Sequence, residues 1–439
     1  MHSPRTCDTL VSADYILTQD EQRRIIEKGA LSIQDGRILA IGSQQDMADW
    51  QPKKRLDLGA ALVLPGLVNA HTHVSMTFLR GLADDLPLME WLTRHIFPKE
   101  QHLTAEIVEL GALLGCAEMT RTGTTAFADM YLFEEGVARA VDTAGLRCLM
   151  GEAVFAFPTP ASSSPEEGYA RIRDLAARYA GHSRLRGAVM PHTVYTTTAN
   201  ILQDCVALAD ELNLAMQIHL SESASEIESS LAQHGKRPVA QARDMGLLRP
   251  GTSLAHCVVL DDEELDILAA SGAYVVHNPR SNMKLSSGVA PVPAMLGRGL
   301  GLGLGTDGAA SNNGLNMFME MNACALLHKV HGMDPTLCPA QTVLDMATLG
   351  GAGALNWPGL GRLEAGAFAD LVALDLASPN LLPMYNPVSH LVYSATGHEV
   401  RLTMVEGKVL YQDGDYLAFD LAALVKEADK LKQWVLAKR

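Results

Sequence analysis

The fold class predicted by this sequence is α/β: an eight-stranded parallel (β/α)8 barrel, carrying a small sheet built from both chain ends. Three observations predict it. Short apolar runs alternate with helical patterns through the middle of the chain, eight such runs can be counted, and most of them end in a histidine or an aspartate. Strand–helix alternation calls for a parallel sheet with crossover helices. Eight such units is the count of a closed barrel, whose functional groups sit at the carboxyl ends of the strands.

At the amino end, Leu31-Ser32-Ile33-Gln34 runs into Asp35-Gly36 and then into Arg37-Ile38-Leu39-Ala40-Ile41-Gly42. Asp-Gly between two apolar runs is a hairpin signal. The carboxyl end has the same character, in Asp370-Leu371-Val372-Ala373-Leu374-Asp375 and in residues 402–410. Residues 1–62 and 362–439 are therefore assigned to one composite β-sandwich with a helical tail, and residues 63–361 to the barrel. The eight barrel runs are 63–73, 124–129, 147–154, 186–192, 215–220, 252–256, 273–277 and 300–307. Helical patterns at 105–120, 133–144, 172–180, 201–212 and 238–245 lie between them.

Composition narrows the function classes. Of 439 residues, 48% are hydrophobic and 19% charged, which supports a large core and excludes global disorder. A net charge of -15 argues against nucleic acid and anionic membranes as partners. No apolar run reaches the ~20 residues that span a bilayer, and residues 1–20 lack the form of a signal peptide. Seven cysteines without a C-x-x-C pair read as reduced thiols of a cytoplasmic protein.

The chemistry gathers at the run ends: His71 and His73 on the first, His192 on the fourth, His219 on the fifth, His256 on the sixth, His277 on the seventh and Asp307 on the eighth. In His71-Thr72-His73 the two imidazoles are two residues apart, so a strand points both to one side, where they can share one ion. Neutral imidazole nitrogen suits Zn2+. Taken singly, His219 reads as a core histidine bonded to a carbonyl, and Asp307 in Gly305-Thr306-Asp307-Gly308 as a turn cap. Their coincidence with the ends of the fifth and eighth strands favours the metal reading.

On these motifs the chain resembles the amidohydrolase superfamily, in the branch that holds triazine hydrolases and purine deaminases. The matching segments are Pro65-Gly66-Leu67-Val68-Asn69-Ala70-His71-Thr72-His73, His219-Leu220-Ser221-Glu222, His277-Asn278-Pro279 with Ser281-Asn282, Gly305-Thr306-Asp307-Gly308, and near the carboxyl end Gly361-Arg362-Leu363-Glu364-Ala365-Gly366 and Ala369-Asp370-Leu371-Val372. The resemblance implies a (β/α)8 barrel of the metal-dependent hydrolase type with a small β-sandwich from both termini, and one Zn2+ per subunit held by His71, His73, His219 and Asp307. Fe2+, Mn2+ or Co2+ suits such a donor set too. No lysine stands in Arg186-Gly187-Ala188-Val189-Met190-Pro191-His192 to bridge a metal pair, as binuclear relatives require.

The resemblance also implies roles for other residues. Asp307 takes a proton from water, His256 steadies the attacking oxygen, and Glu222 protonates a purine ring nitrogen. Glu100 matches the carboxylate that accepts ribose hydroxyls, and His192 the residue that reaches the purine ring. Glu226 and Glu228 read as solvated loop carboxylates. His277 is equally readable as a supporting or a purely structural residue. Met89 and Trp91 are equally readable as cleft residues or as helix packing.

The implied reaction is hydrolytic deamination of a purine nucleoside, 5'-methylthioadenosine foremost, with S-adenosylhomocysteine and adenosine as further substrates. No Lys or Arg occurs between Arg147 and Arg171, and the loop after the third run begins Val154-Phe155-Ala156-Phe157-Pro158. An apolar wall suits a methylthio group and leaves an amino-acid tail without partners. The alternatives are a guanine or cytosine deaminase, a triazine-type hydrolase, and an inactive small-molecule-binding barrel. A cytidine-deaminase type of zinc site is excluded, because H-x-E with P-C-x-x-C is absent. Relatives of this kind are commonly homo-oligomers.

Overall fold

Strands covered on both faces carry unbroken apolar runs, and those of the middle region form one parallel barrel sheet. The structure is a computed structural model and describes residues 5–86 and 88–438. Barrel strands one to eight are Leu67–Thr72, Thr124–Tyr131, Arg147–Val154, Leu185–Pro191, Ala215–Leu220, Thr252–His256, Tyr274–His277 and Gly301–Leu304. They lie side by side in chain order. The seam between the eighth and the first is closed by a backbone bond from Asp307 N–H to His71 O (3.0 Å). The buried Asn69 side chain reinforces it, accepting from Thr306 N–H (2.9 Å) and donating to the Thr306 hydroxyl (2.7 Å). Closure of the barrel thus brings Asp307 beside His71.

Both termini build a second, nine-stranded mixed sheet. Its long strand Arg5–Leu17 pairs with Ile25–Gln34, Trp50–Asp57 and Ala61–Pro65. From the far end come Leu371–Asp375, Val400–Val405, Lys408–Gln412 and Asp415–Tyr416. The Asp35-Gly36 hairpin forms with Gln34 opposite Arg37 and positive φ at both turn residues (50° and 74°). Among the described residues no helix is long and apolar enough to cross a membrane.

One expected strand is corrected. The run 63–73 is two strands in two sheets: Ala61–Pro65 pairs antiparallel with Leu371–Asp375, and Leu67–Thr72 opens the barrel. The crossing point is Gly66, where a Cβ would lie 2.0 Å from the Thr125 hydroxyl oxygen, so no larger residue fits.

A buried cation ties the two sheets together. Arg147, fully buried on barrel strand three, donates to both Asp370 oxygens (2.6 and 3.1 Å), to Ser183 O (2.7 Å) and to Glu406 (3.2 Å). Its guanidinium also lies 4.0 Å over the Phe368 ring. Removing one partner of a buried ion pair costs about 3–5 kcal/mol, because the other charge is left unpaired. Arg147→Met is therefore expected to lower stability by about that amount in urea unfolding, and Arg147→Met/Asp370→Leu to recover part of it. Equal stability of wild type and single variant would show that the pair carries no net weight.

Candidate active site

Three histidines, His71 on barrel strand one, His73 just past its end and His219 on strand five, present the same ring atom to one point. His71 Nδ1 faces Gln217 Oε1 (2.8 Å), His219 Nδ1 faces His192 O (2.8 Å), and His73 Nδ1 faces Met130 O. Each partner is an acceptor, so each Nδ1 carries the proton and each Nε2 turns a lone pair inward. His73 Nε2 and His219 Nε2 stand 3.2 Å apart, and Asp307 Oδ1 lies 3.2 Å from His73 Nε2 and 3.5 Å from His71 Nε2. Donors bound at ~2.0–2.1 Å to one tetrahedral Zn2+ stand about 3.3 Å apart. His71 Nε2 is also buried without a hydrogen-bond partner. The donor set and its spacing fit a single Zn2+-type ion.

Asp307 is aimed from both sides. Its Oδ2 accepts from the Ser281 hydroxyl (2.6 Å) and the Ser311 hydroxyl (2.8 Å), leaving Oδ1 for the imidazoles. Strand eight ends at Leu304, short of the expected 307, and Asp307 beyond it sits in the left-handed region (φ 62°). His256 (φ 75°) does the same at the end of strand six. Left-handed backbone costs a non-glycine residue about 1–3 kcal/mol, and such strain gathers where a side chain must be aimed. Gly305 is held to glycine by crowding, since a Cβ there would lie 2.5 Å from Asn278 Oδ1.

His256 Nδ1 is held by Asn282 Oδ1 (2.8 Å), so its Nε2 faces the cleft, 3.9 Å from Glu222 Oε2. Glu222 Oε1 accepts from the Ser287 hydroxyl (3.2 Å). Glu226 corrects the expectation of a solvated carboxylate: it is buried and accepts from Ser221 N–H (2.9 Å) and Glu222 N–H (2.7 Å). It thereby fixes the turn that presents Glu222. Burial pushes its carboxyl up to about 7, against the pull of those two amides. Glu228 is exposed, as expected.

The cluster floors an open cleft. Glu100 reaches its wall from the short helix Phe97–Glu100 and accepts from the Tyr131 hydroxyl (2.6 Å). His192, just past strand four, faces the Thr196 hydroxyl through Nδ1 (2.9 Å) and packs against the Phe155 ring (centroids 4.5 Å apart). Burial and the nearby His73 and His71 pull His192 down to about 3, so its ring is neutral. Burial likewise holds His219 well below the ordinary histidine value. For Asp307 burial opposes ionisation, yet the contacts with His71 and His73 hold the carboxyl well below the usual range. Trp91, Leu92, Ile96, Phe97 and Phe155 make the wall largely apolar, and among the described residues no Lys or Arg lines it. Met89 is 49% exposed and lies off that wall.

The structure thus gathers His71, His73, His219, Asp307, His256, Glu222, Glu100 and His192 around one cleft. His277 stands apart, with its Nε2 3.1 Å from His328 Nε2. Sequence reasoning missed the residues that orient the others: Gln217, Glu226 and Tyr131. Gln217 had a signal, being two residues before His219 on the same strand face. Glu226 had one too, as the glutamate of Ser223-Ala224-Ser225-Glu226 at a helix start.

The sequence profile of the Amidohydrolase family matches residues 62–410. A protein of Nitratidesulfovibrio vulgaris named 5-methylthioadenosine/S-adenosylhomocysteine deaminase is 60% identical over 435 residues, 99% of each chain. A 5'-deoxyadenosine deaminase of Methanothermobacter thermautotrophicus is 44% identical over 390 residues, 89% of this chain and 91% of that one. The crystal structure of an adenosine deaminase from Xanthomonas campestris with bound zinc superposes with a TM-score of 0.97 at 37% identity, over 99% of this chain and 100% of that one.

Proposed function

Since this chain belongs to the amidohydrolase family, we propose that it is a zinc-dependent hydrolytic deaminase of adenosine-type nucleosides, converting 5'-methylthioadenosine and water to S-methyl-5'-thioinosine and ammonia. The observation that carries this reading is the convergence of four metal donors with Glu222 and His256 on the floor of one cleft. His71, His73, His219 and Asp307 would hold the ion, and a Zn2+ so bound would supply Lewis acidity that brings the pKa of water to about 7.

The remaining work falls to side chains. Asp307 accepts a proton from the attacking water. His256, its Nδ1 held by Asn282, hydrogen-bonds that water through Nε2. Glu222 donates a proton to the purine ring nitrogen beside the amino-bearing carbon. The carbon–oxygen bond forms; as the carbon–nitrogen bond breaks, the proton taken by Asp307 leaves on ammonia, and the proton still on the added oxygen passes to Glu222, restoring its acid form and leaving the carbonyl. Glu100, steadied by Tyr131, receives the ribose diol. Neutral His192 hydrogen-bonds the purine.

The apolar wall at Phe155 supports a preference at the 5' end of the ribose. A zwitterionic amino-acid tail placed there loses its water without gaining charged partners, and unmet polar groups cost ~1–3 kcal/mol. We therefore expect kcat/KM for 5'-methylthioadenosine to exceed that for S-adenosylhomocysteine by roughly 10–100-fold. 5'-Deoxyadenosine, whose 5'-methyl also suits an apolar wall, is expected to lie near the former. Ammonia release from these three, adenosine, guanine and cytosine tests both the reaction and the preference. Turnover of free bases alone would refute the nucleoside reading, and equal constants for the thioether pair would refute the preference. A cytoplasmic location is supported by seven free, buried cysteines. Assembly into a homo-oligomer is supported by the exposed Leu326, Val330 and Met333 on and just beyond the helix Met317–His331.

A further inference from the structure

A second set of metal-binding side chains lies away from the cleft, and the deamination chemistry makes no use of it. His277 ends barrel strand seven, and Cys324 and His328 lie on the helix Met317–His331. Residues four apart share one helix face, and the face carrying Cys324 and His328 is buried, as is His277. One donor atom from each of the three lies within 4.8 Å of the others. His277 Nε2 and His328 Nε2 stand 3.1 Å apart, against 3.2 Å for His73 Nε2 and His219 Nε2 in the first cluster.

We propose that His277, Cys324 and His328 form a second metal site, for a borderline cation of the Zn2+ class. Two imidazoles and a thiolate in a closed pocket are the ligand chemistry of structural zinc, whereas oxygen-seeking cations such as Mg2+ or Ca2+ find no carboxylate in the set. Burying three polar groups with so few partners is costly, and His277 Nδ1 has none. Metal binding offsets that cost, with the Cys324 thiol giving up its proton to solvent. The ion would pin the helix to strand seven. Asn278, next in the chain, faces His256 Nδ1 at 3.4 Å, so the pin would also steady the back of the cleft.

The proposal is independent of the deaminase reading, because its ligands include sulfur and those of the cleft do not. The full chain is produced in cobalt-supplemented medium under reducing conditions, and metal content and the near-ultraviolet spectrum are measured. The expected result is two ions per chain with a thiolate-to-cobalt charge-transfer band. Cys324→Ser/His328→Gln should drop to one ion and lose the band. His219→Ala should lose the other ion and keep the band. A wild-type protein with no thiolate band overturns the proposal even if the double variant fails to fold. So does a folded double variant with unchanged metal content and spectrum.

Discussion

Glu222→Gln is expected to lower kcat for 5'-methylthioadenosine by ~10²–10⁴-fold, the usual share of general acid–base help, while metal content stays at the wild-type level. The carboxyl lies at the cleft floor, 3.9 Å from His256 Nε2 and outside the set of metal donors. The Ser287 hydroxyl can donate to an amide oxygen as well as to a carboxyl, and the Glu226 contacts reach the backbone at 221–222, not the side chain. Gln therefore preserves shape and contacts but cannot deliver a proton and take it back. KM should change little, because the loss falls on the transition state. Rate and metal content measured on the same sample check this. A fall in kcat matched by a fall in bound metal would mean that Glu222 supports the ion instead. Glu226→Gln serves as the companion variant: it disturbs only the turn, so its effect should be smaller and visible in both kcat and KM.

The contrast between Glu222 and Glu226 shows what a sequence discloses. The barrel was legible because a strand buried on both faces has to be apolar, and eight such runs recur between helices. The clustering of His71, His73, His219 and Asp307 was legible because barrel topology fixes where strand ends go. Less visible was anything set by a contact between distant segments. Val63 and Leu64 are as apolar as Val68, yet they serve the other sheet, and only the clash at Gly66 with Thr125 marks the crossing. Arg147 has the look of a surface charge, and its burial depends on Asp370 arriving from the far end of the chain. Gln217, Asn282 and Ser311 are ordinary polar residues in one dimension, and their work of turning His71, His256 and Asp307 exists only after closure. Glu226 was read as solvated because a glutamate usually is, but a buried carboxylate that caps two amides is equally compatible with a helix start.

Asp307→Asn is expected to have an effect at least as large, and it separates the two tasks assigned to that residue. The substitution is nearly isosteric. If the amide oxygen keeps the Oδ1 position, the amide NH2 takes the place of Oδ2 beside Ser281 and Ser311, whose hydroxyls rotate to accept instead of donate. The seam bond from the residue 307 N–H to His71 O does not involve the side chain, and the backbone remains left-handed, a conformation Asn tolerates well. The fold should therefore survive, with a change in unfolding free energy of about 1 kcal/mol or less. What disappears is the negative charge facing His71 and His73, and with it a proton acceptor. We expect the ion to bind more weakly, so that activity is measured in excess Zn2+. Under those conditions kcat should still be down by ~10³-fold or more, since the loss of a base and the loss of charge beside the ion both fall on the same step. Full rescue by added Zn2+ would limit Asp307 to metal binding and transfer the proton to His256. A residual rate that metal cannot restore identifies the carboxylate as the base.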